Sequence, residues 1–441
     1  MNRIRPSRNL AAFANYAAYA AFAALGAFTS LSSPAKAEED GLLLEFEAPP
    51  REGERYVEAR FHLWLPDPGT PVRSIIVHQH GCTNAAPDRH PPVTWDWHWR
   101  ALARKHDSAL LVPMYWVAGA CDEWNDPESG SERALFDALA HFAERSGRPE
   151  LTEAPWLFWG HSGGSSWSAQ MILRHPDRVL AASFRGGSSK QFEVPEFREA
   201  FLETARELPL LFVWGLRESV PESRHFVSWT PMNTMFRELR EAGGTVTRVI
   251  DPRSEHGCED SRLMSIPFFD AVLSARADGE TLPGAYGQIE THEIGEADSS
   301  DASDLARDPA HAWLPTPEFA ERWREFSQVG TLRPTAGDLS APELRARRTE
   351  SGAVALSWRI VPEIAGGLRG LRLERDGELW QDLGVGPEES LATSRDSPPE
   401  ALWVHGVLDE TPGAAEYSLR WFDAAGNESP AVRVAALPAK P

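Results

Sequence analysis

From about Leu43 the chain alternates short apolar runs with longer stretches of helical period. Apolar runs of a few residues between turn formers read as buried strands, and apolar positions recurring at helical spacing read as amphipathic helices. On that basis Arg73–His78, Ser108–Trp116, Pro155–Trp159, Val179–Phe184, Leu208–Trp214 and Thr245–Ile250 are predicted strands. Predicted helices are Val93–His106, Ser131–Ser146, Ser165–Arg174, Pro195–Glu207, about Pro231–Ala242, and Ser261–Ala275. In Ser131–Ser146 the residues Leu135, Leu139 and Phe142 fall on one face, and Gly147 supplies the stop. Strands alternating with helices in this order predict an α/β unit, a doubly wound and mostly parallel sheet with helices on both faces.

The pattern changes twice further along. Residues 278–339 are expected to be an extension and linker: Gly295–Pro309 is acidic and Ser-rich, while Pro317–Phe326 has the spacing of a short helix. From about Ser340 short alternating strands take over, among them Val354–Trp358, Leu371–Arg375 and Tyr417–Phe422, broken by turns at Asp376-Gly377 and Gly426-Asn427. Such spacing predicts a small all-β, immunoglobulin-like sandwich over 340–441. The α/β unit then occupies 38–277.

The first 37 residues have another texture. Arg3, Arg5 and Arg8 precede an apolar, Ala-rich run from about Leu10 to Leu31, and Ala35, Lys36 and Ala37 follow. A positive start, an apolar middle and small residues at the cut predict a signal peptide cleaved after Ala37, hence export to the periplasm or beyond. No later run reaches the roughly 18 apolar residues of a spanning helix, so no stable membrane insertion is expected after cleavage. The chain of 441 residues has 65 acidic against 44 basic side chains. Such a surface argues against nucleic acid and anionic polymers as partners. Its three cysteines, Cys82, Cys121 and Cys258, suit one disulfide in an oxidising compartment, with Cys82–Cys121 the preferred pair. Their spacing fits no zinc pattern, and no metal or organic cofactor is expected.

The chemistry concentrates at Gly160-His161-Ser162-Gly163-Gly164, which fits G-x-S-x-G and lies between a predicted strand and a predicted helix. That context makes Ser162 the candidate nucleophile, with small neighbours where a tight elbow needs them. Ser165 and Ser166 fall inside the helix. A serine hydroxyl needs a base and an acid to orient it. Of fourteen histidines, His256 lies in the loop after the strand Thr245–Ile250, and His225 is its rival. Glu218, after the strand Leu208–Trp214, is the candidate acid, with Asp251 and Glu222 as alternatives. The Gly163 amide is the expected first oxyanion donor, and the loop Gln79-His80-Gly81-Cys82 is expected to supply the second from Gly81 or Cys82, with His80 itself structural. Seventeen tryptophans are more than a core of this size needs; Trp95 and Trp99 share a helix face, and Trp116 or Trp124 is expected to reach the cleft.

On the His80-Gly81 loop, the Ser162 elbow and the stretch Gly215–Pro221, residues 42–275 resemble α/β-hydrolases, in particular secreted esterases related to feruloyl esterases and polyhydroxybutyrate depolymerases. The resemblance implies the triad Ser162, Glu218 and His256, although Asp commonly stands where this chain has Glu218. Residues 340–438, with Leu356-Ser357-Trp358 and Tyr417–Ser429, resemble a fibronectin type III module. The expectation is an exported serine hydrolase cleaving carboxylic esters, in a small molecule or polymer, through an acyl-enzyme. A peptidase or carbohydrate esterase on the same fold, a transferase to an alcohol acceptor, or a silent polymer-binding or adhesion protein are the other readings.

Overall fold

A computed structural model describes residues 41–67, 69–82, 93–117, 119, 123–187, 189–282, 284–296, 302–333, 338–385, 404–411, 413 and 415–436. The expected signal peptide and Cys121, and with it the Cys82–Cys121 pair, lie outside the described residues.

Eight strands form the central sheet: β1 (Leu42–Ala48), β2 (Glu58–Leu65), β3 (Ser74–Gln79), β4 (Ser108–Trp116), β5 (Trp156–His161), β6 (Val179–Arg185), β7 (Leu210–Gly215) and β8 (Val246–Asp251). Their order is β1-β2-β4-β3-β5-β6-β7-β8, antiparallel through β2 and parallel from β4 onward. This mixed sheet fits the α/β-hydrolase arrangement. The strands β3, β5 and β7 are buried at every position, which is why they read as continuous apolar runs. The hairpin β1–β2 was not among the strands predicted, since its alternating Glu, Arg and His positions break the apolar run.

The helices α1 (Trp97–Lys105), α2 (Ser131–Ser146), α3 (Gly163–Arg174), α4 (Pro195–Ala205), α5 (Phe226–Glu241) and α6 (Arg262–Asp278) flank the sheet. The single helix expected over Val93–His106 is split: Val93–Trp95 is a 3₁₀ turn, and Asp96 breaks it to cap α1 by accepting from the backbone of His98 and Trp99. α5 begins five residues before Pro231 and carries that proline inside.

Residues 278–339 are not simply a linker. Strands β9 (Ala285–Gln288), β10 (Ile294–Glu296) and β11 (His311–Leu314) form a small sheet, and α7 (Pro317–Val329) follows. Both pack on β8, the last strand of the central sheet. Thr247 Oγ1 donates to the Trp313 carbonyl at 2.6 Å, and Trp323 Nε1 donates to the Arg248 carbonyl at 2.6 Å. The segment therefore shields the β8 edge, an arrangement that also keeps that edge from pairing with another chain.

The carboxyl-terminal strands are β12 (Glu343–Arg348), β13 (Val354–Arg359), β14 (Gly370–Arg375), β15 (Glu378–Asp382), β16 (Gly406–Asp409), β17 (Glu416–Phe422) and β18 (Val432–Ala435). They form two antiparallel sheets, β12-β13-β16 and β15-β14-β17-β18. The β14–β15 turn has Asp376 at φ 52 and Gly377 at φ 84, the double positive φ of a tight hairpin. Trp358, Tyr417 and Trp421 are buried in this unit. Two sheets of this kind are compatible with a sandwich. Among the described residues no helix is long and apolar enough to cross a membrane.

Candidate active site

Strand β5 runs out at His161 and α3 begins at Gly163, leaving Ser162 alone in the corner at φ 52, ψ −117. A non-glycine residue holds such a conformation only where its surroundings force it. Here the Ser162 amide donates to the Arg185 carbonyl at 2.9 Å, and its carbonyl accepts from the Ser165 amide at 3.0 Å. A Cβ on Gly160 would lie 2.7 Å from the Gly164 carbonyl, and one on Gly164 would lie 2.4 Å from the Gln79 carbonyl. No side chain fits at either position. The neighbouring Ser165 is already engaged, its hydroxyl donating to the Gly160 carbonyl at 2.6 Å.

His256 sits in the loop between β8 and α6, and its Nε2 lies 2.8 Å from Ser162 Oγ. Two other histidines hold it. His161 Nε2 donates to the His256 carbonyl at 2.7 Å, and the His225 ring lies flat on the His256 ring, 3.6 Å between centroids and 6° between planes. His225 is thus a neighbour of His256 and does not replace it at the serine. Burial, with the charges of His256 and Arg224 adding to it, pushes the His225 pKa down to about 4, so it is a neutral ring at neutral pH.

Glu218 follows β7 on a 3₁₀ turn, Leu216–Ser219, and is fully buried. Its Oε1 accepts from Arg185 Nη1 at 2.9 Å and from the Gly215 amide at 3.3 Å. Its Oε2 faces His256 Nδ1 at 3.6 Å, an ion-pair distance longer than a hydrogen bond. Among the described residues neither of those two atoms has another hydrogen-bond partner, so each faces the other, and a contraction of half an ångström or so would close the bond. Burial alone would raise the Glu218 pKa, yet His256 and the Arg185 charge outweigh it and hold the carboxyl below its ordinary value of 4.5. A carboxylate facing Nδ1 fixes the proton there and leaves Nε2 free to accept from Ser162.

The other acid candidates stand elsewhere. Asp251 ends β8 buried, its Oδ1 accepting from the Arg253 amide at 2.9 Å, and Glu222 is exposed. The loop after β3 presses on the elbow: a Cβ on Gly81 would lie 3.1 Å from Ser162 Cβ. That contact sets the loop at Gly81 and Cys82 against Ser162, and Gly163 opens α3 directly after it. His80 is tied into the fold, its Nε2 accepting from the Tyr115 amide at 3.1 Å while Nδ1 donates to the Gly81 carbonyl at 2.5 Å. Trp124, expected in the cleft, is instead fully buried, stacked on Tyr115 and tilted against His80, where it backs the Gly81 loop from inside. Trp116 ends β4 half-buried.

One residue of this centre was missed in the sequence. Arg185, at the end of β6, is fully buried, and besides Glu218 it donates to Ser254 Oγ at 2.9 Å, to the Glu255 carbonyl at 2.7 Å and to the Gly257 carbonyl. It therefore grips both the acid and the loop carrying His256. Gly186 follows at φ 55, and a Cβ there would lie 3.0 Å from both Glu218 Oε1 and His256 Nδ1. Gly186→Ala is expected to push those two groups apart and lower kcat by about 10²-fold with little change in KM. Steady-state kinetics on the folded variant check this, and an unchanged kcat would show that the corner has slack.

No family description matches the chain, and no curated protein does. Among solved structures, poly(aspartic acid) hydrolase-1 from Sphingomonas sp. KT-1 is similar at 15 % identity and a TM-score of 0.34, covering 54 % of this chain and 98 % of its own. An S-formylglutathione hydrolase from Agrobacterium tumefaciens is similar at 15 % identity and TM-score 0.34, over 55 % of this chain and 95 % of its own. Dienelactone hydrolase from Anabaena variabilis ATCC 29413 gives 17 % and 0.31, over 54 % and 94 %. Likenesses this distant carry no weight for reaction or substrate.

Proposed function

We propose that the chain is an exported serine hydrolase that cleaves carboxylic esters through an acyl-enzyme on Ser162. The observation that carries this reading is a hydroxyl on a strained elbow, 2.8 Å from the Nε2 of His256, with a buried carboxylate facing the ring's other nitrogen. His256 takes the Ser162 proton as Oγ bonds to the ester carbonyl carbon. The amides of Gly163 and of Gly81 or Cys82 hold the oxyanion. The imidazolium returns its proton to the departing alcohol, and water, deprotonated by the same ring, then releases the acid. Glu218 stays ionised throughout and stabilises the imidazolium.

The reading includes removal of residues 1–37, so that the mature chain starts at Glu38, a Cys82–Cys121 disulfide, and a fibronectin type III-like carboxyl-terminal unit. An ester is preferred to an amide because an alkoxide leaves more readily than an amine, so the proton donor needs less precise aim at the leaving group. The test treats the full exported chain with a fluorophosphonate and maps the adduct by peptide mass spectrometry, alongside turnover of matched p-nitrophenyl esters and p-nitroanilides. Labelling is expected on Ser162 alone, with the esters turned over and the anilides spared. No adduct, or an adduct on another residue, refutes the reading.

A further inference from the structure

The loop that carries His256, residues 252–261, is closed by a carboxylate belonging to neither the triad nor the solvent. Asp260 stands four residues after His256 with its side chain 2 % exposed. Arg253, at the start of the loop, places Nη1 3.6 Å from Asp260 Oδ2. The second cation comes from a different part of the molecule. Arg369 precedes β14 in the carboxyl-terminal β unit, its side chain is 5 % exposed, and its Nη2 lies 3.3 Å from the same Oδ2. The loop between the two groups is drawn tight, with Glu259 held at φ 48 and the Ser261 amide donating to the Cys258 carbonyl at 3.0 Å.

The carboxyl-terminal unit is seated firmly enough to transmit this contact. His98 Nε2 donates to the Ile364 carbonyl at 3.1 Å, the Trp97 ring stacks on the His405 ring at 3.9 Å, and His405 Nε2 donates to the Trp95 carbonyl at 3.0 Å. Burying a carboxylate to this extent requires a cation beside it, and Arg253 is farther away and more exposed than Arg369.

We propose that the carboxyl-terminal β unit is a working part of the hydrolase, and that Arg369 is a positioning residue which pins Asp260 and thereby holds His256 over Ser162. This rests on the serine-hydrolase reading above. Without Arg369 the buried carboxylate turns toward water and takes the loop with it, and a shift of about 1 Å at the imidazole is enough to lower turnover by up to roughly 10²-fold. The substrate surfaces are untouched, so the loss falls on kcat.

The test uses the full chain carrying Arg369→Gln, Arg369→Lys, Asp260→Asn, or Asp260→Asn with Arg369→Gln. Three quantities are read on the folded fraction: kcat and KM for a short ester, the rate of fluorophosphonate labelling at Ser162, and amide hydrogen exchange over 252–261. Arg369→Gln and Asp260→Asn are each expected to lower kcat and labelling at least tenfold with KM within twofold, and to speed exchange in the loop. Lysine at 369 restores part of the loss, and the double variant is no worse than the poorer single one. Each single variant leaves one member of the buried pair without its partner, whereas the double variant removes both charges, so wild-type kcat and loop exchange in the folded double variant overturn the proposal even if a single variant does not fold. Wild-type kcat, labelling and exchange in the folded single variants, whatever their melting temperatures, overturn the proposal. Failure of the wild type itself to react with the fluorophosphonate overturns the hydrolase reading instead, and loop exchange then still decides whether Arg369 holds the loop.

Discussion

Replacing Ser162 with alanine is expected to lower kcat on a short p-nitrophenyl ester by roughly 10⁵–10⁶-fold, and His256→Ala by about as much. The reason lies in the 2.8 Å contact between Ser162 Oγ and His256 Nε2, which makes one nucleophile out of two residues. Once either is gone the other has nothing to act on. The double variant is therefore expected to be no slower than either single one, with residual turnover of roughly 10³–10⁴ over water from the oxyanion donors and substrate binding. Initial-rate measurements on the three variants check this, together with circular dichroism to show that the fold is retained. Alanine keeps the Cβ and so carries the same φ 52 strain as serine, and Ser162→Ala is expected to melt close to the wild type, which separates the loss of chemistry from any loss of fold. Ser162→Ala turning over within tenfold of wild type would remove the nucleophile from the proposal.

The elbow was legible because its constraints are local. Gly160 and Gly164 face backbone at 2.7 Å and 2.4 Å, and those demands show up as glycines two residues either side of the serine. The strand Ser108–Trp116 and the helix Ser131–Ser146 were read to the residue, since a continuous apolar run and a glycine stop are also local signals. Arg185 was not legible. In the sequence it is a charged residue ending an apolar strand, which ordinarily means a strand reaching water. Its partners Glu218, Ser254, Glu255 and Gly257 lie 33 to 72 residues further on, and only the parallel order β6-β7-β8 brings them to one end of the sheet. Trp124 misled for a similar reason: a tryptophan in a loop at the active-site end reads as a cleft residue until Tyr115 and His80 are seen to cover it. The segment 278–339 hid its sheet because strands of three or four residues with glycines and acids nearby carry too little apolar pattern to register.

Arg185→Met is expected to destabilise the fold by about 3–5 kcal/mol at neutral pH, because it leaves the Glu218 carboxylate buried without its cation. Methionine fills much of the volume, so the effect isolates charge and hydrogen bonding from the cavity an alanine would add. Three acceptors on the His256 loop lose their donor in the same step, so kcat falls as well as stability. The pH dependence separates the two partners. The folded-state pKa of Glu218 lies below 4.5, held there by His256 and Arg185 against the opposing effect of burial. Its ionised form therefore stabilises the wild type fully above the unfolded-state value, and that contribution disappears as the pH falls through the lower folded value. In Arg185→Met the carboxyl loses that support and its pKa rises. The stability gap between wild type and variant is then expected to be widest near pH 7 and to narrow as acid protonates Glu218 in both proteins. Urea unfolding at a series of pH values from 7 down to 4 measures it. A gap that stays constant over this range would mean that Arg185 stabilises the protein through the loop carbonyls alone and that Glu218 draws nothing from its charge.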